Sequence, residues 1–296
     1  WSSHPDVYAE HPAPYTSSPK PASPGIPAGY GEALLIAQYN DRENLEQRFR
    51  EQGDDIAGVL VEPIQANSGV IPPDDGYLQF LREITRRYGA LLIFDEVITG
   101  FRVAPGGAQE LYGVTPDITT MAKALGGGFP IAAFGGSREV MELEARNEVM
   151  HGGTYTANLV ALAAADAVLG EMQSNREAIW GQLNDLGQRL CQGIGDACRE
   201  AGLRNISQGV GPIWHIYFAK PGAPELSSIR NYRDALAYTS SDIFDRFHEA
   251  MLKRGVYFHP YHLERWFLST AHGEAEVAAT LEAAADSAEE VAASLG

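Results

Sequence analysis

Lysine is the scarce residue of this chain: Lys20, Lys123, Lys220 and Lys253 are the only four in 296 positions. Cationic residues number 22 against 39 acidic ones, a formal net charge of −17. That balance excludes a nucleic-acid or anionic-membrane surface, since both need clustered Lys and Arg. Cysteine is nearly absent. Cys191 and Cys198 cannot build a disulfide framework and lack C-x-x-C spacing, so a reducing, cytoplasmic setting is expected. No apolar run approaches the roughly 20 residues of a membrane span. A G-x-x-x-x-G-K-[ST] phosphate loop and a G-x-S-x-G hydrolase elbow are both missing. His259 and His262 form the one close histidine pair, with no HExxH or cysteine partner, so no metal site is expected. The chain opens at Trp1 without Met or a signal-like segment, which reads as a processed start or a fragment.

What is present is ordinary globular material: 45% apolar residues and 31 glycines in a length that predicts one large domain or a large and a small one. Residues 1–30 carry seven prolines and read as a long surface loop. Helical patterns over 41–52 and 72–88 alternate with short apolar runs at 56–61 (IAGVLV), 90–94 (ALLIF), 117–121 (DITTM) and 131–136 (IAAFGG). In the 72–88 helix, Tyr77, Phe80, Leu81 and Ile84 share one face and Arg82 lies elsewhere. Strands alternating with helices predict an α/β fold with a mainly parallel sheet. Residues 156–202 read as helical with a break near Ser174-Asn175. Beyond about residue 200 the pattern changes: 211–218 and 256–259 look like strands. Between them runs an amphipathic helix, with Phe244, Phe247 and Met251 on one face and Gly255 as its stop. A final helix repeats Val277, Leu281, Ala284, Ala288, Val291 and Leu295. The expected division is therefore 1–199, part of a large α/β domain, and 200–296, a smaller α+β domain.

Ligands of α/β sheets bind beyond the carboxyl ends of the strands. Glu62, Asp95 and Lys123 stand at three such ends. Glu62 alone is no more than the first residue past its strand. Lys123 differs, because it sits between an apolar strand and Gly126-Gly127-Gly128. Burial at that address would lower its pKa and make the amine a nucleophile. Lys20, Lys220 and Lys253 lie in a Pro-rich loop, before a Pro-Gly turn and beside Arg254, and all read as solvated. A nucleophilic lysine suggests a Schiff base with a carbonyl compound. If that compound is pyridoxal phosphate, a carboxylate must keep its ring nitrogen protonated, and Asp95 is the candidate. Val97 would form an apolar wall, and the glycines would admit close backbone approach.

Around these residues the phrases VEPIQANSGVIPP (61–73), LLIFDEVITGFR (91–102), GGAQELYGVTPDITTMAKALGGGFPIAAFGG (106–136) and GGTYTANLVALAAA (152–165) resemble the class III, fold-type-I pyridoxal-phosphate aminotransferases. Within them the glutamate-1-semialdehyde 2,1-aminomutase group is most similar, through LKRGVYFHP (252–260) and FLSTAHGEAEV (267–277) as well. The resemblance implies a fold-type-I large domain with a smaller C-terminal domain, a pyridoxal 5'-phosphate cofactor, a small amino, keto or amino-aldehyde substrate, and a homodimer. Lys123 matches the cofactor lysine, Asp95 the partner of the pyridine nitrogen and Val97 the residue on the ring face. Asn67 matches the asparagine at the phenolic oxygen. Thr154 matches the threonine that reaches the neighbouring subunit's site, and Glu264 an active-site glutamate. Against the family pattern, its first third is expected to lie upstream of Trp1. The stretch 13–20 (APYTSSPK) departs from the aminomutases' gating segment, and Arg265-Trp266 replace small residues after Glu264. Arg265 reads either as a partner for a substrate carboxylate or as a surface or interface residue. Aminotransferase is accordingly the broader expectation and aminomutase the narrower. Two alternatives follow from the departures: an inactive remnant or non-enzymatic subunit, and a chain whose site is completed by a separate polypeptide.

Overall fold

The computed structural model describes Gly25 and residues 27–296. Most of the Pro-rich stretch, including Trp1, 13–20 and Lys20, lies outside the described residues. Among the described residues, packing separates two compact units, one of Asp54–Ile64 and Asp75–Asp185, the other of residues 27–53 with Gln65–Asp74 and Leu186–Gly296. The helix Arg176–Glu200 runs from the first unit into the second without a break.

The first unit is built on a four-stranded sheet in the order β1 (Gly58–Val61), β2 (Leu91–Asp95), β3 (Ile118–Met121) and β4 (Ala133–Gly136). β1, β2 and β3 are mutually parallel, with Val61 opposite Phe94 and Asp95 opposite Thr120. β4 turns back antiparallel to β3. Leu92 and Phe94 are fully buried, as expected of short apolar runs inside an α/β sheet. The helix expected over 72–88 begins only at Tyr77, after Gly76 at φ +71°, and ends at Gly89 at φ +70°. Its Arg82 points inward, contrary to the expected face, because it meets the Asp117 carboxylate at 2.8 Å. Although burial pushes the Asp117 pKa up, the hydrogen bonds from Arg82 and from the Leu92 amide outweigh it and hold the group below its ordinary value.

The second unit centres on three antiparallel strands in the order β5 (Asn205–Val210), β6 (Ile213–Phe218) and β7 (Trp266–Phe267). Every residue of β6 is buried. Phe244, Phe247 and Met251 of the helix Ser241–Lys253 are buried as the pattern predicts, and the helix Glu274–Leu295 packs on the same helix. Residues 256–259 form no strand. The Val256 amide is already spent on the Met251 carbonyl, in a helix stop around Gly255 at φ +81°. His215, in mid-β6, is fully buried with Nε2 2.9 Å from the His262 carbonyl oxygen, so that nitrogen carries the proton. Burial drives its pKa down to about 3, against the opposing pull of that hydrogen bond.

Candidate active site

In the first unit, chain order and sheet order together set Asp95 beside the approach to Lys123. Asp95 ends β2 opposite Thr120 of β3, and the Glu96 amide donates to the Thr120 carbonyl at 3.0 Å. Lys123 follows three residues later, so both residues leave neighbouring parallel strands at their carboxyl ends. The half-buried Asp95 carboxylate is held through one oxygen. Oδ1 accepts from the Val97 amide at 3.1 Å and the Thr120 hydroxyl at 3.2 Å. Oδ2 has no donor among the described residues. Val97, two residues on, is half-buried.

Lys123 is exposed, which corrects the expected burial. The reason is local: after Met121 ends β3, Ala122 is extended and Lys123 opens a short 3-10 turn, Lys123–Gly126, with its own φ at +43°. A left-handed backbone costs an L-residue about 1–2 kcal/mol, and such strain concentrates at functional positions. The glycines after it serve packing more than access. A Cβ on Gly126 would lie 2.6 Å from Ile131 Cγ2, and one on Gly127 2.6 Å from Val168 Cγ2. Only Gly128, at φ +104°, faces open space.

Glu96 is the residue that sequence reasoning passed over. It is 1% exposed and fully engaged. Oε2 accepts from the Thr99 hydroxyl and the Ala108 amide, and Oε1 from the backbone and side-chain amides of Gln109. The signal lay in GGAQ: Gly107 has φ +72°, and a Cβ there would sit 2.2 Å from Glu96 Oε2. This buried knot braces the turn that leaves β2 just after Asp95. Thr154 lies in the exposed turn before the helix Leu159–Ser174, whose Asn158 caps it by accepting from the Val160 and Ala161 amides. Apolar side chains stand out in water around it, Met150 96% and Leu159 80% exposed.

Asn67 and Glu264 belong to the second unit. The loop carrying Asn67 is closed by a bridge between Gln65 and Ile71 and fastened residue by residue. Arg265 Nη1 donates to Asn67 Oδ1 at 2.8 Å. The Tyr217 hydroxyl donates to the Ser68 carbonyl at 2.9 Å. The Gly69 amide donates to the Leu263 carbonyl, and Gln208 Nε2 to the Val70 carbonyl at 2.7 Å. Arg265 Nη1 also meets Glu264 Oε1, and its guanidinium lies 5.1 Å from the centre of the Phe267 ring.

Comparison with known proteins follows the same lines. The family model described as Aminotransferase class-III matches residues 12–293. Glutamate-1-semialdehyde 2,1-aminomutase from Aquifex aeolicus (strain VF5) is 38% identical over 272 residues, which are 92% of this chain and 62% of the relative. An omega-transaminase from Sphaerobacter thermophilus superposes with a TM-score of 0.85 at 34% identity, over 99% of this chain and 66% of that one. A transaminase solved with PLP bound gives 0.80 at 28% identity, over 95% of this chain and 62% of that one. The chain thus spans somewhat less than two thirds of these relatives' lengths.

Proposed function

This chain belongs to the class III aminotransferase family, and on that premise we propose that the protein moves amino groups with the help of pyridoxal 5'-phosphate. The observation that carries the reading is the pairing of β2 with β3: a carboxylate with one oxygen undonated among the described residues ends β2, and a strained, exposed lysine follows the end of the neighbouring β3. These residues fit the cofactor's chemistry. When bound, it supplies an electron sink conjugated to the reacting carbon. Asp95 Oδ2 would accept a hydrogen bond from the ring nitrogen's N–H, its negative charge keeping the proton on that nitrogen. Lys123 Nζ would hold the cofactor through its carbonyl carbon, with loss of water, and as a free amine it would serve as the base at the substrate α-carbon. Fixed electrostatics of the kind Asp95 provides are worth a few kcal/mol of barrier, on the order of 3 kcal/mol per well-placed group.

The remaining assignments belong to the same reading. By the family resemblance, Val97 would pack on the ring face, Asn67 would donate to the phenolic oxygen and Glu264 would act on the substrate side. Residues 1–199 contribute to the cofactor-binding part and 200–296 form the C-terminal part. Thr154 completes the site of a second copy in a homodimer, and the exposed Met150, Tyr155 and Leu159 around it support a covered face there. A cytoplasmic setting accords with the free, buried Cys191 and Cys198. The substrate is a small amine or amino acid with a keto or aldehyde partner.

The test is turnover of pyridoxal-phosphate-loaded protein with a panel of small amines and amino acids. Carbonyl product that forms only with a keto acceptor identifies an aminotransferase, and isomerised product without one identifies an aminomutase. Absence of both from a protein that holds the cofactor would overturn the proposal.

A further inference from the structure

Two threonines follow one another in β3, and strand geometry sends their side chains to opposite faces of the sheet. Thr119 is buried and accepts from Gln109 Nε2 at 3.4 Å, the same amide that donates to Glu96 Oε1. Thr120 stands on the other face, opposite Asp95 in the register, and donates to Asp95 Oδ1 at 3.2 Å. All of these residues lie within the first unit. A strand position asks for a β-branched side chain, which Val would supply equally well. The hydroxyl is what Thr adds, and at residue 120 it goes to the carboxylate.

The Val97 amide reaches the same oxygen at 3.1 Å, from only two residues along the chain. An aspartate's terminal torsion is broad, so that one local donor leaves the carboxylate free to swing about the contact. A second donor from the neighbouring strand removes this freedom. Oδ1 is then held from two directions, the plane of the group is fixed, and Oδ2, which has no donor among the described residues, points one way.

We infer that Thr120 is a positioning residue, whose hydroxyl fixes the plane of the Asp95 carboxylate and so aims Oδ2 beyond the carboxyl end of β2. This rests on the reading above, in which Oδ2 meets the N–H of the cofactor's ring. A hydrogen bond weakens steeply as donor and acceptor leave their line. A carboxylate free to swing would therefore hold the proton on the ring nitrogen less firmly. Thr119, the same residue type one position away, faces the other side of the sheet and has no such part.

The test loads the full chain with pyridoxal phosphate isotopically labelled at the ring nitrogen. It reads affinity by absorbance titration and ring protonation by NMR. Thr120→Val keeps the branched shape of the strand residue and removes the hydroxyl. It should bind the cofactor about three- to tenfold more weakly, the value of one hydrogen bond, and its ring-nitrogen signal should move toward that of the unprotonated ring. Thr120→Ser, which keeps the hydroxyl, should hold affinity within about twofold of the parent and leave the nitrogen signal in place. Thr119→Val should do the same. Thr120→Ala removes the same hydroxyl and stands in for Thr120→Val if that protein does not fold. A nitrogen signal unmoved by loss of the Thr120 hydroxyl, or moved equally by Thr119→Val or Thr120→Ser, would overturn the inference while leaving the cofactor assignment standing. A parent protein that binds no cofactor would instead sink the functional reading, and this inference with it.

Discussion

Gly69 has a φ of +80°, and a Cβ built on it would lie 2.0 Å from the Tyr217 hydroxyl oxygen and 2.4 Å from Cζ. Gly69→Ala therefore meets two separate penalties. The left-handed backbone costs an L-residue about 1–2 kcal/mol. The collision adds a second cost, because Tyr217 is 2% exposed and its hydroxyl is bonded to the Ser68 carbonyl at 2.9 Å. Displacing the ring strips that buried carbonyl of its donor, a loss of about 1–3 kcal/mol. Together the two come to about 2–5 kcal/mol. Gly222 isolates the second term. It has φ +77° with nothing within 4 Å of its Cβ position, and it lies in the same compact unit. Gly222→Ala should thus lose only the backbone term. Urea and thermal unfolding of the two variants should differ by about 1–3 kcal/mol, or about 2–12 °C in midpoint for a domain of this size. Equal losses would refute the claim that Tyr217 fastens the loop carrying Asn67.

Glu96→Gln places an NH2 group against a backbone N–H whichever way the amide is turned, since both oxygens of Glu96 accept from backbone amides. It should cost at least about 2 kcal/mol by urea unfolding, and a loss under about 0.5 kcal/mol would show that the knot does not brace the turn after β2. His215 predicts a pH dependence. Its folded pKa, about 3, lies below the ordinary 6.5, so the stability contributed by its neutral form is whole above pH 6.5 and drains away as pH falls toward 3. Between pH 7 and pH 5 the parent should lose about 2 kcal/mol more than His215→Phe. Identical losses in the two proteins would contradict the buried neutral histidine.

The parts of the fold that were legible in the sequence are those that local pattern controls. β2 and β3 are apolar runs flanked by polar residues, and their order along the chain was enough to place Asp95 and Lys123 on neighbouring strands. The break at Asn175 between the helices Leu159–Ser174 and Arg176–Glu200 was visible for the same reason. β5 was not, because NISQGV is half polar and becomes a strand only by pairing along the whole of β6. β7 is two residues long, too short for any period to register. The inward turn of Arg82 and the burial of Glu96 depend on Asp117 and the Gln109 amides, partners that no local pattern supplies. The exposure of Lys123 follows from a backbone turn that composition does not report. The tie between Arg265 and Asn67 joins residues 198 apart in the chain, and no local pattern encodes such a contact.

The central claim is that Lys123, paired with Asp95, is the residue that holds the cofactor. Incubation with pyridoxal phosphate, reduction with borohydride and peptide mapping by mass spectrometry test it directly. The account predicts a covalent label on Lys123, lost in Lys123→Ala and diminished in Asp95→Asn. Label spread over Lys20, Lys220 and Lys253, or no label at all, would contradict it.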